Sequence, residues 1–220
     1  MNTIKIIIAF LFVCNVSIAQ NVKPAFWNEI QNFKRQDSIS MPAKNQILFV
    51  GSSSFTKWTD VQDYFPTHKI INRGFGGSTL LDLIHYNQDV ILKYQPKQII
   101  IYCGENDFAS SDSVSVQMLT QRFIKLFEII RTEFKKTPIA YVSMKPSPRR
   151  LHLMKKYLAA NEAIKIFLKE KPATAFIDVY PAMLNEDGSP IAEIFIKDNL
   201  HMNAQGYQIW QKIIEPFLLK

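Results

Sequence analysis

From residue 47 onward, short apolar runs alternate with longer amphipathic stretches. The runs at 47–50, 69–71, 98–102, 139–142 and 175–179 lack the polar alternation of a half-exposed strand, as expected of strands covered on both faces. Between them, Leu119, Phe123, Leu126, Phe127, Ile130 and Phe134 recur at helical spacing, and so do Met154, Tyr157, Leu158, Ile164, Phe167 and Leu168. Pro138 and Pro172 mark the ends of those two helices. A last helix is predicted over 204–218 and an extra one over 24–35, ahead of the first strand. Such alternation implies right-handed βαβ units around a parallel sheet. With five strands, the expected α/β fold is a flavodoxin-like three-layer α/β/α sandwich with a five-stranded parallel sheet.

The first residues are set apart from this pattern. A short basic start ending at Lys5 precedes the apolar run 6–13, and Ser17 and Ala19 supply small residues before Gln20. This is the layout of a signal peptide over 1–19, and the apolar run is too short to span a bilayer. The expected location is therefore secreted or periplasmic, without stable membrane insertion. An N-terminal anchor or a buried helix is the competing reading. The rest, 20–220, reads as a single domain with 20–45 as a helical extension.

Composition narrows the chemistry only a little. Without Cys14 in the leader, Cys103 stands alone at the end of an apolar run, which suits a buried structural thiol. The formal charge is +7, with the basic residues scattered over predicted helix faces. That favours solvated faces, and no motif supports nucleic-acid binding.

In a doubly wound sheet, functional groups gather at the carboxyl ends of the strands. Four segments fall there: Gly51-Ser52-Ser53-Ser54, Asn72 to Ser78, Gly104-Glu105-Asn106-Asp107, and Asp198-Asn199-Leu200-His201. A serine nucleophile needs a base and a group that stabilises an oxyanion. His85 and His152 lie in predicted helices and His68 at the wrong edge, which leaves His201. Asp198, three residues earlier, is placed to hold its ring; Asp178, at the end of the last strand, is the rival acid. Each segment also has a plainer reading. The serine block is equally a turn of small residues, Gly76-Gly77 a simple turn or an anion-facing backbone, and Asn106 a local cap or a donor.

The four blocks together resemble those of the SGNH, or GDSL-type, serine hydrolases (esterases and lipases). The resembling branch lies near bacterial carbohydrate esterases and platelet-activating-factor acetylhydrolase-like proteins. The resemblance spans about 47–217. It implies Ser53 as the nucleophile among the three serines, His201 as base and Asp198 as triad acid. It also implies an oxyanion hole built from Ser53, Gly77 and Asn106. Two positions depart from the family pattern: Ser52 stands where an Asp is usual, and Ser78 where an Asp or Asn is frequent. The implied activity is hydrolysis of small acyl esters, acetyl above all and carried on a small molecule or a glycan, with no metal or organic cofactor. A lysophospholipase or thioesterase with the same catalytic set, or a non-catalytic glycan-binding protein, are the alternatives. No oligomeric state is implied.

Further candidates border the same edge. Lys145, Arg149 or Arg150, in the proline-stiffened loop after the fourth strand, are placed to touch an anionic substrate, or are solvated charges on a rigid connection. Trp58 is a candidate lining residue of an acyl or sugar pocket, with core packing as the competing reading.

Overall fold

The computed structural model describes residues 23–220, so the expected signal peptide lies outside the described residues. Its strands are β1 (Ile47–Gly51), β2 (Ile70–Gly74), β3 (Gln98–Tyr102), β4 (Ile139–Val142) and β5 (Thr174–Ile177). They form one parallel sheet in the order β2-β1-β3-β4-β5. This is the expected doubly wound order, and its winding reverses between β1 and β3, the switch point beside which sheets of this kind bind ligands. In chain order the helices are α1 (Trp27–Ile39), α2 (Ser53–Thr56), α3 (Val61–Tyr64), α4 (Leu80–His85), α5 (Glu105–Ser110), α6 (Val116–Glu133), α7 (Met154–Lys169) and α8 (Ala204–Ile214).

Strand residues alternate between two apolar layers, because successive side chains point to opposite faces. Leu48, Val50, Ile99, Ile101, Ile139 and Tyr141 face a layer closed by α1, α4, α6 and α7. Ile47, Phe49, Ile100, Tyr102, Ala140 and Val142 face the other, closed by α2, α3 and α8. Helix α6 starts where Ser115 Oγ accepts the Met118 N–H at 3.1 Å, and it buries Leu119, Phe123, Leu126, Phe127 and Ile130 along one stripe. Each such side chain stabilises the fold by roughly 1.5–3 kcal/mol relative to exposure. No helix among the described residues is long and apolar enough to cross a membrane.

Two strands end elsewhere than their apolar runs predict. β2 continues through Asn72 and Arg73 to Gly74, because tertiary partners satisfy both polar side chains. Asn72 Nδ2 donates to the Phe55 carbonyl at 2.7 Å, while Arg73 donates to Asp37 on α1 and to Tyr94, each at 2.5 Å. Asp37 also pairs with Lys93, so α1 is riveted to β2 by a buried cluster. This lets α1 run to Ile39, beyond the predicted end. β5 stops at Ile177, opposite the last residue of β4, where pairing runs out.

Candidate active site

The nucleophile turn follows from backbone geometry at Gly51. Its φ is +145°, and an added Cβ would sit 1.9 Å from the Tyr102 carbonyl oxygen, so only glycine lets β1 turn this close to β3. Ser52 then leaves the sheet in an extended conformation, its N–H donating to the Tyr102 carbonyl at 2.9 Å, and Ser53 opens α2. Ser52 and Ser54 are buried, whereas Ser53 is only half-buried. The Ser53 Oγ lies 2.9 Å from His201 Nε2. On α8, the Tyr207 hydroxyl donates to the Ser54 carbonyl at 2.8 Å, tying α2 to the helix that follows the histidine.

The histidine sits on a short, closed loop. A bridge between Phe195 and Met202 draws its ends together, and the Ile196 N–H donates to the His201 carbonyl at 2.8 Å. Asn199 takes the left-handed conformation, φ 57°, which asparagine tolerates well. Asp198 Oδ1 accepts the N–H groups of Leu200 and His201, each at 2.9 Å, leaving Oδ2 2.6 Å from His201 Nδ1. Desolvation pushes the Asp198 carboxyl up, but the ring and these two N–H groups outweigh it and hold the pKa down to about 2. A carboxylate can only accept, so it fixes the ring proton on Nδ1 and leaves a lone pair on Nε2 facing Ser53. Asn203 caps α8 by accepting from Gln205 and Gly206 and so anchors the loop's far end. Asp178, the rival acid, is exposed and accepts from the Tyr180 N–H at 3.2 Å instead.

The second and third blocks meet opposite this line. Gly77 is exposed with φ +76°, and no residue accepts the N–H of Ser53 or Gly77 among the described residues. Asn106 Nδ2 donates to Ser52 Oγ at 2.6 Å and to the Ser78 carbonyl at 3.1 Å. Asp107 is fully buried and accepts from the Leu80 N–H at 2.9 Å and from Arg122 at 2.7 Å, which holds the start of α4 against α5. Burial pushes its carboxyl above the usual range, against the pull of those two donors. The Cys103 thiol is buried and donates towards the Ser78 carbonyl, and burial pushes its pKa well up.

A model of the GDSL-like lipase/acylhydrolase family matches residues 37–209. The chain belongs to that family. It is accordingly an esterase or lipase, a carboxylic-ester hydrolase. No curated protein sequence matches it. Among solved structures, a Streptococcus pneumonia protein described as a platelet activating factor is similar at 21% identity and TM-score 0.75, over 87% of this chain and 92% of that one. A GDSL-like lipase from Bacteroides thetaiotaomicron aligns at 21% identity and TM-score 0.70, over 86% and 97%. A carbohydrate esterase family 3 protein from Talaromyces cellulolyticus aligns at 12% identity and TM-score 0.62, over 79% and 95%. At these identities the likeness concerns the fold.

In this GDSL-like hydrolase, the candidates outside the four blocks divide between the core and the surface. Trp58 is fully buried, stacked on Tyr207 with centroids 4.8 Å apart, so it packs the core, the competing reading. Lys145 is also buried, its ammonium 3.3 Å from both Glu105 oxygens, and is therefore committed to an internal pair. Arg149 is exposed, and only its backbone N–H is engaged near the site, by the Asn199 carbonyl at 3.0 Å. The arginine that turns inward is Arg150, which reaches Glu105 and Asn106. Ser52, in place of the usual Asp, supplies an oxygen that accepts from Asn106. Among the described residues, no group of three His, Cys, Asp or Glu side chains is arranged to hold a metal ion.

Proposed function

We propose that this esterase removes small acyl groups, acetyl above all, from carbohydrate esters through an acyl-enzyme on Ser53. The observation that carries the proposal is the continuous line from Asp198 Oδ2 to His201 Nδ1 at 2.6 Å and from Nε2 to Ser53 Oγ at 2.9 Å. Ser53 Oγ attacks the ester carbonyl while Nε2 takes its proton, and the Asp198 carboxylate balances the imidazolium that forms. The tetrahedral oxyanion is met by the backbone N–H groups of Ser53 and Gly77 and by Asn106 Nδ2. An oxyanion is a stronger acceptor than the neutral Ser52 hydroxyl, so it takes over the N–H that Ser52 holds. Loss of one such donor raises the barrier by about 2.7–4 kcal/mol. The imidazolium then protonates the leaving alcohol, and water, activated by the same ring, repeats the attack and frees Ser53.

Small acyl groups are favoured by what surrounds Ser53. Ser52, Gly76, Gly77, Ser78 and Asn106 are short or polar, and the Phe26 ring edge lies 4.0 Å from where a Cβ on Gly77 would be. The carbohydrate half draws support from the fold shared with a carbohydrate esterase. The N-terminal signal-peptide pattern supports action outside the cytoplasm. The test is p-nitrophenyl ester hydrolysis from acetate to palmitate, beside acetylated sugars. Ser53→Ala should abolish turnover, by about 10^4-fold or more. An undiminished rate in Ser53→Ala sinks the mechanism, and a preference for palmitate over acetate sinks the substrate assignment.

A further inference from the structure

The Asn106 side chain has to present nitrogen, not oxygen, to an oxyanion, and its terminal torsion is intrinsically soft. Rotating the amide by half a turn would replace a donor with a repelling acceptor. Ser52 Oγ, one neighbour of Nδ2, cannot prevent this, because a hydroxyl both donates and accepts. The Ser78 carbonyl can, since it only accepts, but its contact is 3.1 Å long. The other end of the amide is held more firmly. An Arg150 guanidinium nitrogen donates to Asn106 Oδ1 at 2.7 Å, and a guanidinium never accepts.

Arg150 is itself fixed from behind. Its other terminal nitrogen donates to Glu105 Oε2 at 3.2 Å, and its side chain is 14% exposed. Glu105 is buried and further held by the Tyr102 hydroxyl, by the Lys145 ammonium and by the Lys145 backbone N–H at 3.2 Å. Two basic side chains thus share one carboxylate, and the Arg150 guanidinium, which is always charged, stands behind the Asn106 amide. Hydrogen bonding to a cation at Oδ1 polarises the amide and strengthens its N–H groups as donors.

We infer that Arg150 is a positioning residue of the oxyanion hole, acting through Asn106 by fixing the amide's orientation and polarising it. This rests on the acyl-transfer reading above. Arg150 itself touches neither nucleophile nor base. Its contribution belongs to the transition state, where the negative charge appears, and so to kcat more than to KM.

The experiment is a double-mutant cycle on p-nitrophenyl acetate hydrolysis with Arg150→Met, Asn106→Ala and the double variant. Arg150→Met should lower kcat by about 10- to 100-fold with KM changed less than about threefold, as for the loss of part of one oxyanion donor. In the Asn106→Ala background the same substitution should cost less than about threefold, because there is no amide left to position. Arg150→Lys should restore only part of the rate, since one ammonium cannot reproduce the planar fork that spans both acceptors. If Arg150→Met does not fold, the cycle is run with Arg150→Lys, which keeps a cation for Glu105. Equal losses with and without Asn106, or a change confined to KM, overturn the inference. Retained activity in Ser53→Ala would instead remove the acyl-transfer reading, so the two failures are distinguishable.

Discussion

Replacing Asp198 by asparagine keeps the side chain's shape and reverses hydrogen-bond polarity at one atom. Asp198 Oδ1 accepts two backbone N–H groups, each at 2.9 Å, and both can only donate. The amide oxygen of the variant must therefore take that place. Its NH2 group is then left facing His201 Nδ1, which lies 2.6 Å from Asp198 Oδ2 in the wild type. A donor there forces Nδ1 to accept, so the neutral ring carries its proton on Nε2. Nε2 is the atom 2.9 Å from Ser53 Oγ, and once protonated it no longer removes the serine proton. Losing both the tautomer and the counter-charge in this geometry costs about 10^4-fold in kcat, or ~5 kcal/mol. Water reaches the Asp198 side chain, which is 38% exposed, and screens the charge but leaves the tautomer effect intact. The expected loss in kcat is therefore about 10^3- to 10^4-fold.

Asp198→Ala is the discriminating partner. It offers no amide to lock the ring, so both tautomers are sampled, and Asp198→Asn should be slower than Asp198→Ala by about tenfold despite its better fit. The assay is p-nitrophenyl acetate turnover with kcat and KM resolved, each variant checked by denaturation. Desolvation raises the Asp198 pKa, but its hydrogen bonds hold it at about 2, below the ordinary 3.8. Its share of stability is thus full above 3.8 and is lost as pH falls through about 2, and no limb of the wild-type rate profile near neutrality belongs to it. An asparagine variant as active as wild type, or ten times faster than the alanine variant, refutes this account of the loop.

Trp58→Ala should cost about 3–5 kcal/mol of stability in urea titration. Trp58→Phe should leave KM for acetylated sugars unchanged, whereas a pocket residue would raise it. Asp37→Asn should destabilise the fold at pH 7 by about 3 kcal/mol, because it leaves Arg73 and Lys93 facing a neutral amide in a buried cluster. Burial raises the Asp37 pKa, but Lys93, Tyr94 and Arg73 outweigh it and hold the carboxyl below its ordinary 3.8. The wild-type advantage is therefore present above pH 3.8 and should narrow as pH falls below it, which paired denaturation curves at neutral and acid pH would show.

Strands β1, β3 and β4 were legible in the sequence because a sheet covered on both faces needs uninterrupted apolar residues, and the runs beginning at Ile47, Gln98 and Ile139 supply them. The end of β2 was not, because Asn72 and Arg73 are strand residues only by virtue of partners elsewhere, Asp37 among them, 36 residues from Arg73. β5 was overrun for the opposite reason: Val179 is apolar and buried, but β4 offers nothing for it to pair with.

The same division runs through the site. The juxtaposition of Ser53, His201 and Asp198 could be anticipated because the parallel topology itself carries the segment after each strand to one edge, and Asp198 needs only three residues to reach the ring. The charges around Asn106 could not. Lys145 and Glu105 are 40 residues apart, so nothing local distinguishes a solvated lysine from one spent on a buried carboxylate. Arg149 and Arg150 differ only in the phase of a short 3-10 turn, Pro148–Leu153, which bends at Arg150 with φ −122° and ψ 32°. That turn sends one guanidinium to solvent and the other onto Asn106. Topology fixes which segments meet, and it is readable from apolar periodicity. Which charged side chain of a segment faces inward depends on single dihedral angles and distant counter-charges, and there a three-dimensional account is indispensable.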